Sequence, residues 1–425
     1  MMRGDGGARV DRDKPSRTET PLGRRNPCEL RERRQSIAAS GAEMAERVAD
    51  ADDLVLELLA GCETRATATD ELERTLRCLR GIDKEADDLA SVDLGAMSVY
   101  LPLNQPLYGL VLFGVVPSFA ARTVYVRPPV LMRPVTRRLV DLLFPPSVCN
   151  LVICEEARGW FLEHAVTRSE AVLFTGRWEN GQAVGARLSP EQLLLFNGPG
   201  VNPFVVGADA DLKAAAESLA EARTYNSGQD CAAPDAVLVA SEVLDEFLSE
   251  LRSVLVRLEV GSSYPTGAAV GPLMTRQSLE LVAQCLTTHA TRVVFGGRID
   301  EERNLVNPTV IRFGRPAELP LEEFFAPIFC VAPFRDIEEL RGYFASRWYQ
   351  DHRMYVSQFG SVPEGLEDLH GSVELRERNV LDVENGNEPF GGYGPHSNFV
   401  RHAGITVPRP ILISRELARA FGPLP

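Results

Sequence analysis

The chain has 425 residues, of which 44% are hydrophobic and 24% charged, and its formal net charge is −14. That length accommodates two domains or one large one, and the acidic balance argues against a nucleic-acid surface or an anionic membrane as partner. Its eight cysteines, at 28, 62, 78, 149, 154, 231, 285 and 330, form no CxxC pair, so neither a zinc knuckle nor a redox dithiol is indicated and a reducing, cytoplasmic setting is expected.

Residues 1–44 are rich in Arg but also hold Asp and Glu, with no apolar core of a signal peptide, and read as a disordered extension with Met44 a candidate start. From about 45 to 90 apolar residues fall at helical spacing, as in "LVLELL" and "LERTLRCLRGI". Beyond 97 the rhythm becomes strand then helix. "MSVYLPL" predicts a strand and "YGLVLFGVVPSFAA" a buried helix, too short and proline-broken to span a bilayer. "TVYVRPP", "NLVICEE" and "AVLFTG" predict further strands, separated by the helices "VTRRLVDLLF" and "ARGWFLEHAV". Such alternation implies βαβ crossovers, a parallel sheet covered on both faces, and ligands at the carboxyl ends of its strands. A second alternating series starts at "NPFVVGADADLKAAAESLAEA" and runs through "DAVLVASEVLDEFLSELRSVL", "RVVFGGRI" and "IFCVAPFRDIEELRGYFA". The expected fold is therefore α/β, two lobes with a groove between them. The apolar "PILIS" near the end reads as a strand able to join a neighbouring copy's sheet.

Several loops at predicted strand ends carry polar residues that packing alone does not require. They are "LPLNQPL" with Asn104, "FTGRWENG" with Thr175, Gly176, Trp178 and Gly181, and "FNGPGVNP" with Asn197. Further along come "NSGQDCAAPD" with Cys231, "EEFFAPIF" with Glu323 and Phe325, and the Gly-rich "NEPFGGYG". A thiol set after a Gly-Gln-Asp turn suits a nucleophile better than a packing cysteine. No metal-ligand spacing occurs among the six histidines, and there is no P-loop, HExxH or G-x-S-x-G. His396 and His402 read as surface loop residues, Cys149 and Cys154 as packing.

The order and spacing of these segments, from about 97 to 400, resemble the aldehyde dehydrogenase superfamily, most strongly in "NSGQDCAAP". That resemblance implies a two-lobed fold, a Rossmann-like cofactor domain plus an α/β catalytic domain. The expected division is 1–44 extension, 45–198 nicotinamide dinucleotide-binding with a shortened start, 199–390 catalytic, and 391–425 a return with an oligomerisation strand. It further implies Cys231 as nucleophile toward an aldehyde, and Asn104 with the Cys231 backbone N–H as donors to the negative oxygen. Hydride passes to NAD or NADP and a thioester remains. Thr175, Gly176, Trp178 and Gly181 match the turn that holds the pyrophosphate, although bulky Arg177 and Trp178 replace small residues. Arg127 matches a lysine at the adenine-side ribose, and Val130 replaces an acid there, so NADP is expected to bind at least as readily as NAD. Glu323 and Phe325 match the nicotinamide-ribose carboxylate and its neighbouring ring. A homo-oligomer, such as a dimer, is implied as well.

One position departs from the family. Asn197 stands where hydrolytic members carry the glutamate that deprotonates water, and an amide is no base near neutral pH. Three outcomes stay open: hydrolysis through another group, transfer of the acyl group to coenzyme A, or a binding protein that has lost turnover. The reaction run backward, from an acyl thioester, is also open.

Overall fold

The computed structural model describes residues 26–261 and 268–423. It contains two seven-stranded sheets. In the first, strands Met97–Tyr100, Val124–Arg127, Leu151–Ile153, Ala171–Thr175 and Leu193–Asn197 run parallel, with Met97–Tyr100 at the centre and the chain crossing to opposite sides of it. Asn398–His402 then pairs antiparallel with Leu193–Asn197, and Ile405–Pro408 pairs antiparallel beyond it. This sheet is thus mixed rather than wholly parallel. In the second, Pro203–Val206 and Ala236–Ala240 lie side by side at the centre, flanked by Ile328–Phe334 and Thr309–Arg312 on one side and Tyr355–Phe359 and Val373–Arg376 on the other. Only its edge strand Val293–Phe295 is antiparallel.

Burial follows from the strand sequences. "MSVY" and "LLLFN" are buried at every position, as expected where helices cover both faces of a sheet. One face of the first sheet shares a core with the helices Pro27–Asp50, Arg65–Arg80, Arg133–Leu143 and Ile413–Phe421, through Met44, Leu72, Leu139 and Leu417 against Val99 and Val126. The other face packs Phe174 and Phe196 on Phe161 and Val184. Two further cores, around Val356 and Leu340 and around Leu219 and Phe247, cover the second sheet.

Two expectations about the chain ends are corrected. Pro27–Asp50 is a helix capped by the Asn26 side chain, with proline at its first position, so residues 27–44 are ordered; residues 1–25 lie outside the described residues. Its buried stripe is Ile37, Gly41, Met44, Ala45 and Val48, one face at helical spacing. "PILIS" is not a strand: Ile411 makes a single bridge to Phe390, and the chain enters the helix Ile413–Phe421. The exposed sheet edge is Ile405–Pro408 instead. Among the described residues no helix is long and apolar enough to cross a membrane.

Candidate functional site

The two sheets meet at a cavity of about 900 Å³. Asn104, Thr175, Gly176, Trp178, Asn197, Cys231, Glu323 and Phe325 all line it. Arg127 and Gly181 do not.

Asn104 follows the central strand Met97–Tyr100, and Gln105 turns the chain in the left-handed region (φ 56°) into a helix opened by Pro106. The first free N–H groups of that helix need acceptors. Glu71, reaching from Arg65–Arg80, supplies one: its Oε1 accepts from Leu107 N (2.8 Å) and Tyr108 N (2.7 Å). So a buried carboxylate anchors the turn that carries Asn104. Further on, the helix loosens into a π turn at Val111–Val115, whose Leu112 and Phe113 form part of the cavity wall.

Cys231 sits on a loop with three successive left-handed residues, Asn226, Ser227 and Gly228. Gly228 is required there, because a Cβ would lie 2.3 Å from the Ala326 carbonyl carbon. Asn202 pins the thiol's own segment, with Nδ2 donating to Cys231 O (2.8 Å) and Ala233 O (3.2 Å) and Oδ1 accepting from Tyr355 N (3.2 Å). Asn104 Nδ2 donates to Gln229 O (3.0 Å), which ties the amide to the loop that carries the sulfur. Cys231 is only partly exposed, and burial, then Asp230, Glu323 and Glu384, push its thiol pKa well up. That shift favours the neutral thiol over the thiolate.

The other wall is built from the ends of Ala171–Thr175 and Leu193–Asn197, which place Thr175 and Asn197 as register partners. Gly176 (φ 142°) donates its N–H to Asn197 O (2.9 Å). Trp178 opens the helix Trp178–Gly185 and is no surface residue: its ring stacks on His396 at 4.0 Å and meets Phe196 and Phe399 edge-on. His396 is accordingly half-buried against Trp178, and His402 ends a sheet strand beside Phe421, so neither is a loose loop residue. Gly181 serves packing, since a Cβ there would lie 2.2 Å from the Phe196 ring. Cys149 and Cys154 are buried. Asn197 Oδ1 accepts from Asn398 Nδ2 (2.9 Å), a bond made by the antiparallel return.

Around the cavity, several polar atoms from both sheets have no protein partner. Thr175 Oγ1 and Glu323 Oε1 are buried and unpaired, and no side chain caps the helix at Trp178. Burial raises the Glu323 carboxyl well above the usual range, with Asp235 adding to the shift. Left-over acceptors beside a free helix N-terminus fit a ligand bearing both hydroxyls and phosphates. Arg127 lies outside the cavity, its guanidinium over the Phe161 ring and donating to Glu156 O. Burial, then Arg133 and Arg158, lower its pKa. Val130 is 69% exposed.

Sequence reasoning missed Glu71, Asn202, Arg74 and Glu384. Arg74, from Arg65–Arg80, lines the cavity with its Nε 2.6 Å from Asp70 Oδ2. Glu384 lines it too and accepts from Tyr108 Oη (2.8 Å). No local signal marks any of them, although Asn202 stood inside a quoted loop motif and Arg74 inside the helical stretch "LERTLRCLRGI".

Comparison with known proteins agrees with this architecture. The aldehyde dehydrogenase family model matches residues 27–343. Phenylacetaldehyde dehydrogenase of Pseudomonas fluorescens is 27% identical over 391 residues, covering 86% of this chain and 74% of that protein. Aldehyde dehydrogenase family 7 member A1 of Brassica napus is 32% identical over 208 residues, 47% of this chain and 38% of that protein, so this match spans well under half of that relative. Among solved structures, glyceraldehyde-3-phosphate dehydrogenase GapN from Methanocaldococcus jannaschii complexed with NADP superposes with a TM-score of 0.72 at 18% identity, covering 91% of this chain and 92% of that one. An NADP-dependent enzyme of E. coli gives 0.73 at 18% identity over 92% and 86%.

Proposed function

The chain belongs to the aldehyde dehydrogenase family, and from that premise we propose that it oxidises a small aldehyde with a nicotinamide dinucleotide, through a covalent bond to Cys231. The observation that carries this reading is the bond between Asn104 and the Gln229 carbonyl, which keeps an amide donor at the thiol's loop inside one cavity. The Cys231 sulfur gives up its proton to solvent water and bonds the aldehyde carbon as the carbonyl π pair moves onto oxygen. The second N–H of the Asn104 amide and the Cys231 backbone N–H steady the oxygen that becomes negative. Loss of hydride leaves a thioester on Cys231.

NAD or NADP would supply the hydride acceptor, held by Thr175, Gly176, Trp178 and the helix start at the pyrophosphate, and by Glu323 and Phe325 near the nicotinamide. Arg127, with Arg133 and Arg158 nearby and Val130 in place of an acid, favours a 2′-phosphate, so NADP is accepted at least as readily as NAD. Asn197 occupies the position of the family's water-activating glutamate.

A panel of aldehydes, run with NAD and with NADP and with or without coenzyme A, tests this by the change in nicotinamide absorbance. Reduction that Cys231→Ala abolishes is expected. A rate that requires coenzyme A would mean acyl transfer in place of hydrolysis. Absence of any reduction, with neither dinucleotide binding, would point to a family member kept for binding.

A further inference from the structure

If Asn197 cannot take a proton, some other group must activate the water that clears the thioester. Its amide is moreover held by Asn398. Three carboxylates lie close enough to Cys231 to raise its thiol pKa: Asp230, Glu323 and Glu384. They are not equivalent. Asp230 is the thiol's chain neighbour, and its Oδ1 is taken by the Ala232 N–H (3.0 Å). Glu323 stands near Asp235 and Arg223, beside the Gly200 N–H, among the residues assigned to the dinucleotide. Glu384 comes from a different segment, beyond the short helix Val380–Val383. Tyr108 Oη donates to its Oε1 (2.8 Å), which fixes the carboxylate and leaves Oε2 for a water in the cavity. The Arg74 guanidinium stands beside it.

We infer that Glu384 is the general base that clears the acyl group from Cys231, doing from beside Tyr108 what a carboxylate at position 197 would otherwise do. This rests on the reading of Cys231 as nucleophile. As the water oxygen bonds the acyl carbon, one water proton passes to Glu384 Oε2. The carbon–sulfur bond then breaks, the carboxylic acid departs, and the sulfur recovers the proton from Glu384. Thioester and water become acid and thiol, with no change of oxidation state. Burial raises the Glu384 carboxyl, while Arg74 and the Tyr108 hydroxyl lower it, which moves it toward the range where a base works best near neutral pH. The groups facing it are Arg74 and Asp70 from one helix, Tyr108 from the next, Asp230 and Cys231 from the thiol loop, and Cys78 and Tyr355.

The test needs no dinucleotide. p-Nitrophenyl acetate acylates a reactive cysteine with release of p-nitrophenolate, so a burst reports acylation and the steady state reports deacylation. With the full chain, Glu384→Gln is expected to keep the burst, to slow the steady state by about 100-fold, and to accumulate acetylated protein by intact mass spectrometry. Wild-type deacylation should rise with pH through one limb that Glu384→Gln lacks. Should Glu384→Gln not fold, Glu384→Asp decides: a slower rate with the limb retained supports the inference, and a wild-type rate overturns it. Deacylation by Glu384→Gln at the wild-type rate, or loss of the limb in Glu323→Gln alone, would overturn it too. A wild-type protein without a burst, or a burst that survives Cys231→Ser, defeats the nucleophile assignment itself, and the inference falls with it.

Discussion

The two sheets present opposite ends to the cavity. The first offers the carboxyl ends of its strands: Asn104 follows Tyr100, Thr175 ends one strand and Asn197 another. The second offers amino ends: Cys231 precedes Ala236–Ala240, Glu323 and Phe325 precede Ile328–Phe334, and Pro199 precedes Pro203–Val206. The general rule for open α/β sheets locates ligands at carboxyl ends and beside a reversal of strand order. It finds the first wall of the site and would look on the wrong side of the second. The difference also shows in charge. The first wall leaves Thr175 Oγ1 and an uncapped helix for a ligand. Around the thiol, Asp230, Glu323 and Glu384 all have pKa values raised by burial.

The sharpest way to break this contrast is to remove one group from each wall and compare. Cys231→Ala is expected to lower aldehyde oxidation by at least ~1,000-fold while leaving dinucleotide affinity in place; a variant retaining more than a tenth of the wild-type rate would remove the second sheet from the chemistry. Asn104→Ala should cost about 100-fold or more in kcat, as loss of a preset donor to an oxyanion does. The check is kcat against KM, because a purely structural asparagine would move stability and leave kcat of the folded fraction unchanged.

Much of this layout was legible in the sequence, and the parts that were not share a cause. Strand-helix alternation from Met97 onward is local, because each buried strand is a short apolar run between turns. The left-handed turn at Asn226–Gly228 and the proline after Gln105 also leave local marks. The helix Pro27–Asp50 was hidden by its charged surface, though its buried residues at 37, 41, 44, 45 and 48 fall on one helical face. "PILIS" has strand composition, yet only Ile411 makes a bridge and Ile413 and Ser414 already belong to a helix, tertiary context overriding propensity. Glu71, Arg74 and Glu384 stand on helical or connecting segments outside the quoted loop motifs, and only folding brings Arg74 and Glu384 to the cavity and Glu71 under the turn that carries Asn104. The mixed character of the first sheet is of the same kind, since Asn398–His402 is a plausible strand whose partner cannot be read from itself.

Smaller effects sharpen the picture of the first wall. Gly181→Ala should lower stability by about 1–3 kcal/mol, because the new methyl meets the Phe196 ring, held between Phe174 and Phe399. A thermal melt checks this, and an unchanged Tm would mean the helix Trp178–Gly185 sits further from the sheet. Arg127→Ala is expected to weaken NADP binding about tenfold and NAD binding less. Equal loss for both, measured by titration, would make Arg127 a packing residue over Phe161.

The smallest expected signal is a slope, and it belongs to the second sheet. Arg223 and Asp235 lie beneath the thiol loop, 1% and 6% exposed, with a single contact of 3.4 Å. Asp235 Oδ2 and Arg223 Nε find no partner, while Arg223 Nη2 donates to the Ala326 carbonyl. A pair so placed loses hydration at both ends without full compensation. Burial therefore outweighs the attraction of Arg223 and raises the Asp235 carboxyl from 3.8 to about 7. The folded chain holds this proton more tightly than the unfolded one. The stability it contributes is complete below about pH 3.8 and is lost as pH rises through about 7. Asp235→Asn, which cannot ionise, should show a shallower fall in unfolding free energy across that window, whatever its absolute stability. Parallel slopes in urea titrations at several pH values would mean that the pair is ionised at neutral pH, and that the ground under the thiol loop is no less comfortable for charge than the first wall.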